Sequence, residues 1–282
     1  MQPVLSRRRF LACSAAAVGG LGLYTWQVEP HWLDIVRRPL PIAGLPTALV
    51  GRTLAQLSDI HVGPNVADWY LARTFARVRA IEPDIIVYTG DFTTLSNDVF
   101  AHAQRIYADA PHGRMATLGV LGNHDYGRRW HDPAYATRTV EVLSNVGIRI
   151  LRNELTDVAG LSIVGMDELQ AGRFDPATAL ATLQPDRPAL ALAHNPDTVD
   201  LPGWDRYAGW ILAGHTHGGQ CKPPFLPPPL LPVRNRRYVA GPYDLSSGRQ
   251  LYVNRGVGHN EQVRFNVRPE VTLFELVQTP RP

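Results

Sequence analysis

The chain has 282 residues, 45% of them hydrophobic and 19% charged, a balance that supports a full core and excludes a disordered chain. Its net charge of +3 is carried by scattered arginines and a single lysine, Lys222, which excludes a continuous basic stripe for nucleic acid. Two cysteines, Cys13 and Cys221, exclude a disulfide framework.

The N-terminal stretch SRRRFLACSAAAVGGLGLYTW begins with Arg7-Arg8-Arg9 and carries no charged residue from Phe10 to Trp26. Ser6 to Leu11 resembles the Ser-Arg-Arg-x-Phe-Leu pattern of twin-arginine export signals. Residues 1–27 are therefore expected to be an export signal or membrane anchor. Residues 28–280 are expected to form one catalytic domain beyond the bacterial inner membrane, or held at its outer face. The apolar run falls short of the ~20 residues of a comfortable transmembrane helix and is rich in Gly and Ala. No small-x-small cleavage pattern follows it, which leaves retention as an anchor open.

From Val28 to Pro46 the sequence is proline-rich and partly alternating, the pattern of an edge strand and its entry loop. RTLAQLSDIHVG reads as a strand entering a polar loop. Leu71, Phe75 and Val78 keep helical spacing, and Pro83 ends that helix. DIIVYTGD is a run of the kind buried on both faces of a sheet. A helix near 98–110, the strand MATLGV before GNHD, and a helix through Val140, Leu143 and Val146 follow. GIRIL, LSIVGM, PALALA, WILA, RQLYV and VTLFELV read as further strands. Asp175 caps a helix that starts at Pro176. KPPFLPPPLLP is too proline-rich for regular structure. Strands alternating with helices predict an α/β fold.

Five of these strands end in metal-competent clusters: Asp59-Ile60-His61, Gly90-Asp91, Gly122-Asn123-His124-Asp125, His194-Asn195 and Gly214-His215-Thr216-His217. Ligand sites in α/β sheets gather beyond the carboxyl ends of strands, so the five loops are expected to converge. Carboxylate, imidazole and amide oxygen without thiolate suit Mn²⁺, Fe or Zn²⁺. In Asp-x-His and His-x-His the middle residue turns away, so both ligands are expected on one side of an extended loop. A carboxylate on the Gly90-Asp91 turn is placed to bridge two cations, which together can share a hydroxide and clamp a phosphoryl oxygen.

The order DIH, GD, GNHD, H, GHTH resembles the calcineurin-like metallophosphoesterase superfamily, with a match running from about Glu29 to Leu276. The late YVNRGVG segment resembles its bacterial membrane-associated branch. The resemblance implies a four-layer α/β/β/α fold, two β-sheets packed as a sandwich and flanked by helices. It implies two divalent ions: one held by Asp59, His61, Asp91 and His217, the other by Asp91, Asn123, His194 and His215. It further implies that a bridging hydroxide attacks a phosphoester, that His124 protonates or stabilises the leaving oxygen, and that Asp125 orients His124.

GDFTTLS and GNHD differ from the GDxVDRG and GNHE boxes of the family's protein phosphatases, which excludes that role. A small or lipid-linked phosphodiester or pyrophosphate is the expected substrate, met near a membrane surface. Relatives that cleave UDP-2,3-diacylglucosamine offer an alternative, but that substrate is cytoplasmic and an export signal places the site on the other face. A catalytically silent metal-binding module remains a second alternative, and a nuclease would need a basic groove that the sequence lacks. Arg234, Arg236, Arg237 and Arg255 are candidate phosphate or headgroup contacts.

Overall fold

Period-two alternation along single strands divides the apolar residues between separate cores. In the computed structural model, which describes residues 6–280, β3 (Ile85–Thr89) is buried throughout. Ile85 and Val87 face one core while Ile86 and Tyr88 face another. The same split recurs in β2 (Thr53–Leu57), β8 (Ala189–Leu192) and β9 (Gly209–Ala213). Leu54, Leu190, Leu192 and Leu212 join the central core, and Ala55, Ala191 and Ile211 point outward.

That central core lies between two six-stranded sheets. The first has the order β1-β12-β2-β3-β4-β5, with β1 (Asp34–Ala43), β4 (Ala116–Val120), β5 (Arg149–Ile150) and β12 (Glu270–Thr279). The second runs β10-β11-β9-β8-β7-β6, with β6 (Glu154–Val158), β7 (Leu161–Gly165), β10 (Gly241–Asp244) and β11 (Arg249–Val253). Helices α2 (Asp68–Arg79), α3 (Val99–Tyr107) and α4 (Pro133–Asn145) bury Phe75, Ala103 and Leu143 against the outer face of the first sheet. The outer face of the second sheet is covered mainly by irregular chain carrying Trp204 and Tyr207. The expected four layers are therefore present but unequal.

Two strands, β6 and β10, were not expected. Both are antiparallel edge strands with partly exposed residues, so they lack the apolar run that marks a buried strand. The helix expected after Asp175 is one turn, α5 (Pro176–Ala179). Asp175 caps it, accepting from the Thr178 amide at 3.1 Å. Beyond it the chain tightens into three-residue turns that bring Leu183 into the core. The strand expected between Val28 and Pro46 is β1, on an edge.

Helix α1 (Arg7–Leu23) buries none of its side chains. Its foot is nevertheless tied to the body. Thr25 accepts from the Arg264 amide at 2.9 Å, Trp26 from Gln262 Nε2 at 3.0 Å, and the Glu29 carboxylate from the Val267 amide at 2.6 Å. No helix among the described residues is long and apolar enough to cross a membrane.

In the first sheet β2, β3 and β4 are parallel, and in the second β7, β8, β9 and β11 are parallel. All seven release their loops at one end of the sandwich, where side chains from the two sheets meet.

Candidate metal centre

Asp59 and His61 follow β2, Asp91 follows β3, Asn123 follows β4, His194 follows β8, and His215 and His217 follow β9. All seven are buried. Their donor atoms fall into two groups that share Asp91: Asp59, His61, Asp91 and His217, and Asp91, His194 and His215. Asn123 joins the second group, its Oδ1 lying 3.2 Å from His194 Nε2.

The loops are not extended as the alternation argument supposed. Asp59, His61, Asp91, His215 and His217 all have φ between 50° and 69°. Non-glycine residues there cost roughly 1–2 kcal/mol each. Cross-strand bonds hold the conformation: the Asp59 amide donates to the Gly90 carbonyl and the His61 amide to the Asp91 carbonyl, each at 2.9 Å. The ligand atoms converge because each residue turns in the left-handed region. Gly122 lies so close to Asp91 that a methyl group there would overlap the carboxylate.

The second group turns two imidazole nitrogens and a carboxylate oxygen toward one point. His194 Nδ1 lies 2.8 Å from the Thr89 carbonyl, and His215 Nε2 lies 2.9 Å from the Pro232 carbonyl. Each ring therefore places its N–H on the far side. The remaining nitrogens, His194 Nε2 and His215 Nδ1, face each other at 3.1 Å. Asp91 Oδ2 lies 3.3 Å from the same His194 nitrogen. Lone pairs so arranged call for a cation.

In the first group His61 Nε2 and His217 Nε2 are 3.1 Å apart, with Asp59 Oδ1 3.3 Å from His217 Nε2. His61 Nδ1 is bound to Thr94 Oγ1 at 2.9 Å, while the buried His217 Nδ1 has no partner. The buried cluster of Asp and His is thus able to bind a dinuclear metal centre, and its hard and borderline donors leave several divalent ions open.

The electrostatics agree. Burial holds His61 and His217 well below the usual histidine range and takes His215 down to about 3, with the His194 charge adding to the effect at His215, so these three imidazoles are neutral ligands. Burial also opposes charge on His194, but Asp91, with Asp59 and Glu168, outweighs it and lifts His194 to about 10. Burial would raise Asp91, but His194, His124 and His61 together hold it well below the carboxylate range. Burial raises Asp59. The centre stabilises positive charge where the two groups meet.

His124 is half-buried at this end of the sandwich. Its amide donates to Asp91 Oδ1 at 2.9 Å and its ring stands edge-on to His61, centroids 4.9 Å apart. The expected pairing of Asp125 with that ring is corrected. The Asp125 carboxylate accepts from the amides of Phe92, Thr93 and Gly122 at 2.9–3.2 Å and from Thr93 Oγ1. It has no hydrogen bond to His124 among the described residues, because three amides of the β3 and β4 ends surround it. Asp125 braces the GNHD turn against the GDFT turn.

Glu168, beyond β7, was missed. It is buried, and burial pushes it up to about 7 against the opposing charge of His194. LSIVGMDE carries the same strand-then-acid signal as the loops of Asp59, Asp91 and Asp125. Thr94 and the Pro232 carbonyl, which steer His61 and His215, had no signal of their own. Three of the four arginines expected to meet phosphate are engaged elsewhere: Arg255 pairs with Glu270 and Asp34, Arg236 donates to the Pro228 carbonyl and Arg237 to the Asp244 carbonyl.

Residues 52–219 match the calcineurin-like phosphoesterase family. The chain is 33% identical to the phosphodiesterase YaeI of Escherichia coli K12, over 97% of this chain and 100% of that protein. It is 30% identical to the metallophosphoesterase YkuE of Bacillus subtilis 168, over 98% and 99% of the two. It is 24% identical to the UDP-2,3-diacylglucosamine pyrophosphatase LpxG of Chlamydia trachomatis, over 96% and 98%.

Proposed function

Because this chain belongs to the calcineurin-like phosphoesterases, hydrolases of phosphoric ester bonds, we propose that it is a two-metal phosphodiesterase or pyrophosphatase acting on a small or lipid-linked phosphoester. The observation that carries this reading is the pair of buried ligand groups meeting at Asp91, with His194 Nε2 and His215 Nδ1 turned toward each other at 3.1 Å. Asp59, His61, Asp91 and His217 would hold one divalent ion, and Asp91, Asn123, His194 and His215 the other. Bound there, the two ions supply an activated water and neutralise charge on the phosphoryl oxygens.

The chain's own groups do the rest. Asp91 spans both positions, and its second oxygen accepts the His124 amide, which fixes the main chain of His124 beside the centre. His124 gives a proton to the leaving oxygen as the P–O bond breaks. Asp125 acts on this step only through the main chain, holding the turn that carries His124. Burial keeps the His61, His215 and His217 rings neutral, and Thr94, Thr89 and Pro232 aim those of His61, His194 and His215, so these groups need little reorganisation when charge develops.

The pyrophosphate bond of a lipid-linked nucleotide sugar is a second substrate reading, supported by the resemblance to LpxG along nearly the whole chain. Residues 1–27 are read as a twin-arginine export signal or membrane anchor, placing the domain of residues 28–280 outside the cytoplasm. The foot of that segment, at Thr25 and Trp26, is hydrogen-bonded to the catalytic body.

The test is turnover of bis-p-nitrophenyl phosphate by the full chain after chelation and after adding back Mn²⁺, beside His124→Ala. The expected result is metal-dependent hydrolysis that falls about 10²–10⁴-fold in the variant at unchanged metal content. Metal binding without turnover of diester or monoester would replace the enzyme with a silent binding module.

A further inference from the structure

Three apolar features lie along one edge of the molecule. The first is α1, exposed and free of charge beyond Arg9, with apolar residues on every side. The second is a collar of exposed tryptophans at its foot. Trp26 lies in the turn that continues α1, and Trp32 follows closely beneath the Arg268 guanidinium, 3.7 Å from the ring centroid. Trp69 packs against His31 at a tilt of 38°, centroids 4.9 Å apart. The third is the proline-rich loop, whose Phe225, Leu226 and Leu230 are 105%, 60% and 79% exposed.

Main-chain pairing joins them. Thr25 and Trp26 are held by Arg264 and Gln262. Phe265 in turn donates to the Gln220 carbonyl and accepts from the Lys222 amide, each at 2.9 Å. Lys222 starts the proline-rich loop, so the foot of α1 and that loop rise from adjacent strips.

The loop is stiff. Its prolines fix φ, Arg236 ties down the Pro228 carbonyl, and the Asp197 carboxylate accepts the Arg234 and Asn235 amides. A phenylalanine and two leucines stand exposed on this braced loop.

We infer that this edge is a bilayer-docking face, in which the Phe225–Leu226–Leu230 tip and the tryptophan collar enter the lipid interface beside α1. The occupant is lipid and not protein for three reasons. A partner protein would meet an amphipathic helix, whereas α1 is apolar all round. Exposed tryptophans at the foot of an apolar helix match the aromatic belts of membrane interfaces. Lys222 and Arg268 at the same edge complement anionic headgroups. The consequence concerns substrate. His215 and His217 lie a few residues before Lys222, and His215 is bonded to the Pro232 carbonyl of the loop itself, so docking sets the metal centre close to headgroup depth. This assignment extends the anchor reading of residues 1–27 and does not depend on the hydrolytic one.

The test is flotation of the full chain with vesicles of phosphatidylethanolamine and phosphatidylglycerol in four forms. These are the unaltered chain, a tip variant (Phe225→Ser, Leu226→Ser, Leu230→Ser), a helix variant (Leu11→Asp, Val18→Asp, Leu21→Asp), and the two combined. The helix variant should keep a measurable partition, and adding the tip changes should lower it at least tenfold. All forms should keep the same melting temperature and the same turnover of soluble bis-p-nitrophenyl phosphate. Equal partition of the helix and combined variants overturns the proposal. So does a tip variant that turns a dimer into a monomer without changing partition, which would make a second copy the occupant. If partition falls as expected while no form hydrolyses the diester, docking stands and the hydrolytic reading fails.

Discussion

The two sheets serve one centre by different means. The first sheet supplies both carboxylates, and its loops are pinned to each other by main-chain bonds, Asp59 to Gly90, His61 to Asp91 and Val62 to Phe92. The second supplies His194, His215 and His217, whose rings are aimed from behind by a carbonyl or left with a free far nitrogen. Charge in the centre is therefore fixed by backbone, and lone-pair direction at His194 and His215, as at His61, by the second nitrogen of the ring. The first is costly to disturb, since any change moves several ligands together. The second can be altered one ring at a time.

Asp91→Ala should separate these cases most sharply, because it removes the one residue common to both groups. Metal content measured by plasma emission should fall from two ions per chain to below one. Losing several kcal/mol of charge stabilisation should lower turnover by about 10³-fold or more. A variant that kept two ions would show that the groups are independent. Gly122→Ala should come next. The added methyl overlaps the Asp91 carboxylate and amide, and overpacking of this kind costs about 1–3 kcal/mol. The melting temperature and the affinity for both ions should fall together. Loss of only one ion would mean that the backbone frame does not couple the two groups.

Thr94→Val probes ring steering in isolation. It removes the oxygen bound to His61 Nδ1 and leaves every ligand in place. Loss of such a support typically weakens metal affinity by 10–100-fold. One ion should titrate more weakly while the other is unchanged. Equal weakening of both would return the effect to the shared frame.

The same division explains what the sequence disclosed. The ligand clusters were legible because each ends an apolar strand, and parallel strands deliver their ends to one edge. The left-handed conformation of Asp59 and His61 was not legible. It depends on carbonyls of Gly90 and Asp91, about thirty residues away, and local alternation predicts the opposite. The resemblance implied that Asp125 orients the His124 ring, whereas the amides of Phe92, Thr93 and Gly122, two of them some thirty residues away, take its carboxylate. The edge strands β6 and β10 escaped because partial exposure removes the apolar run that betrays a buried strand. Glu168 carried a usable signal, an acid just past the apolar run LSIVGM, and was passed over.

His259 gives the smallest test and a control on the comparison. It follows β11, with Nε2 bonded to the Asn65 carbonyl at 2.9 Å and Nδ1 buried without a partner, so its ring is steered like those of the second sheet. It faces no carboxylate of the centre. Burial, reinforced by the Arg264 charge, takes it down to about 4 from an ordinary value of 6.5. The unfolded chain therefore binds a proton here before the folded one does. Stability from the neutral ring is fully present above pH 6.5 and is lost as pH falls toward and through 4. In His259→Gln, which keeps a donor for Asn65, the decline in melting temperature between pH 6.5 and 4 should be shallower than in the unaltered chain. Turnover at pH 7.5 should stay within about twofold, since no ligand has moved. An unchanged acid slope would mean that His259 is charged in the fold, and that burial away from carboxylates does not suffice to keep such a ring neutral. The neutrality of His215 and His217 would then have to come from the ions they hold.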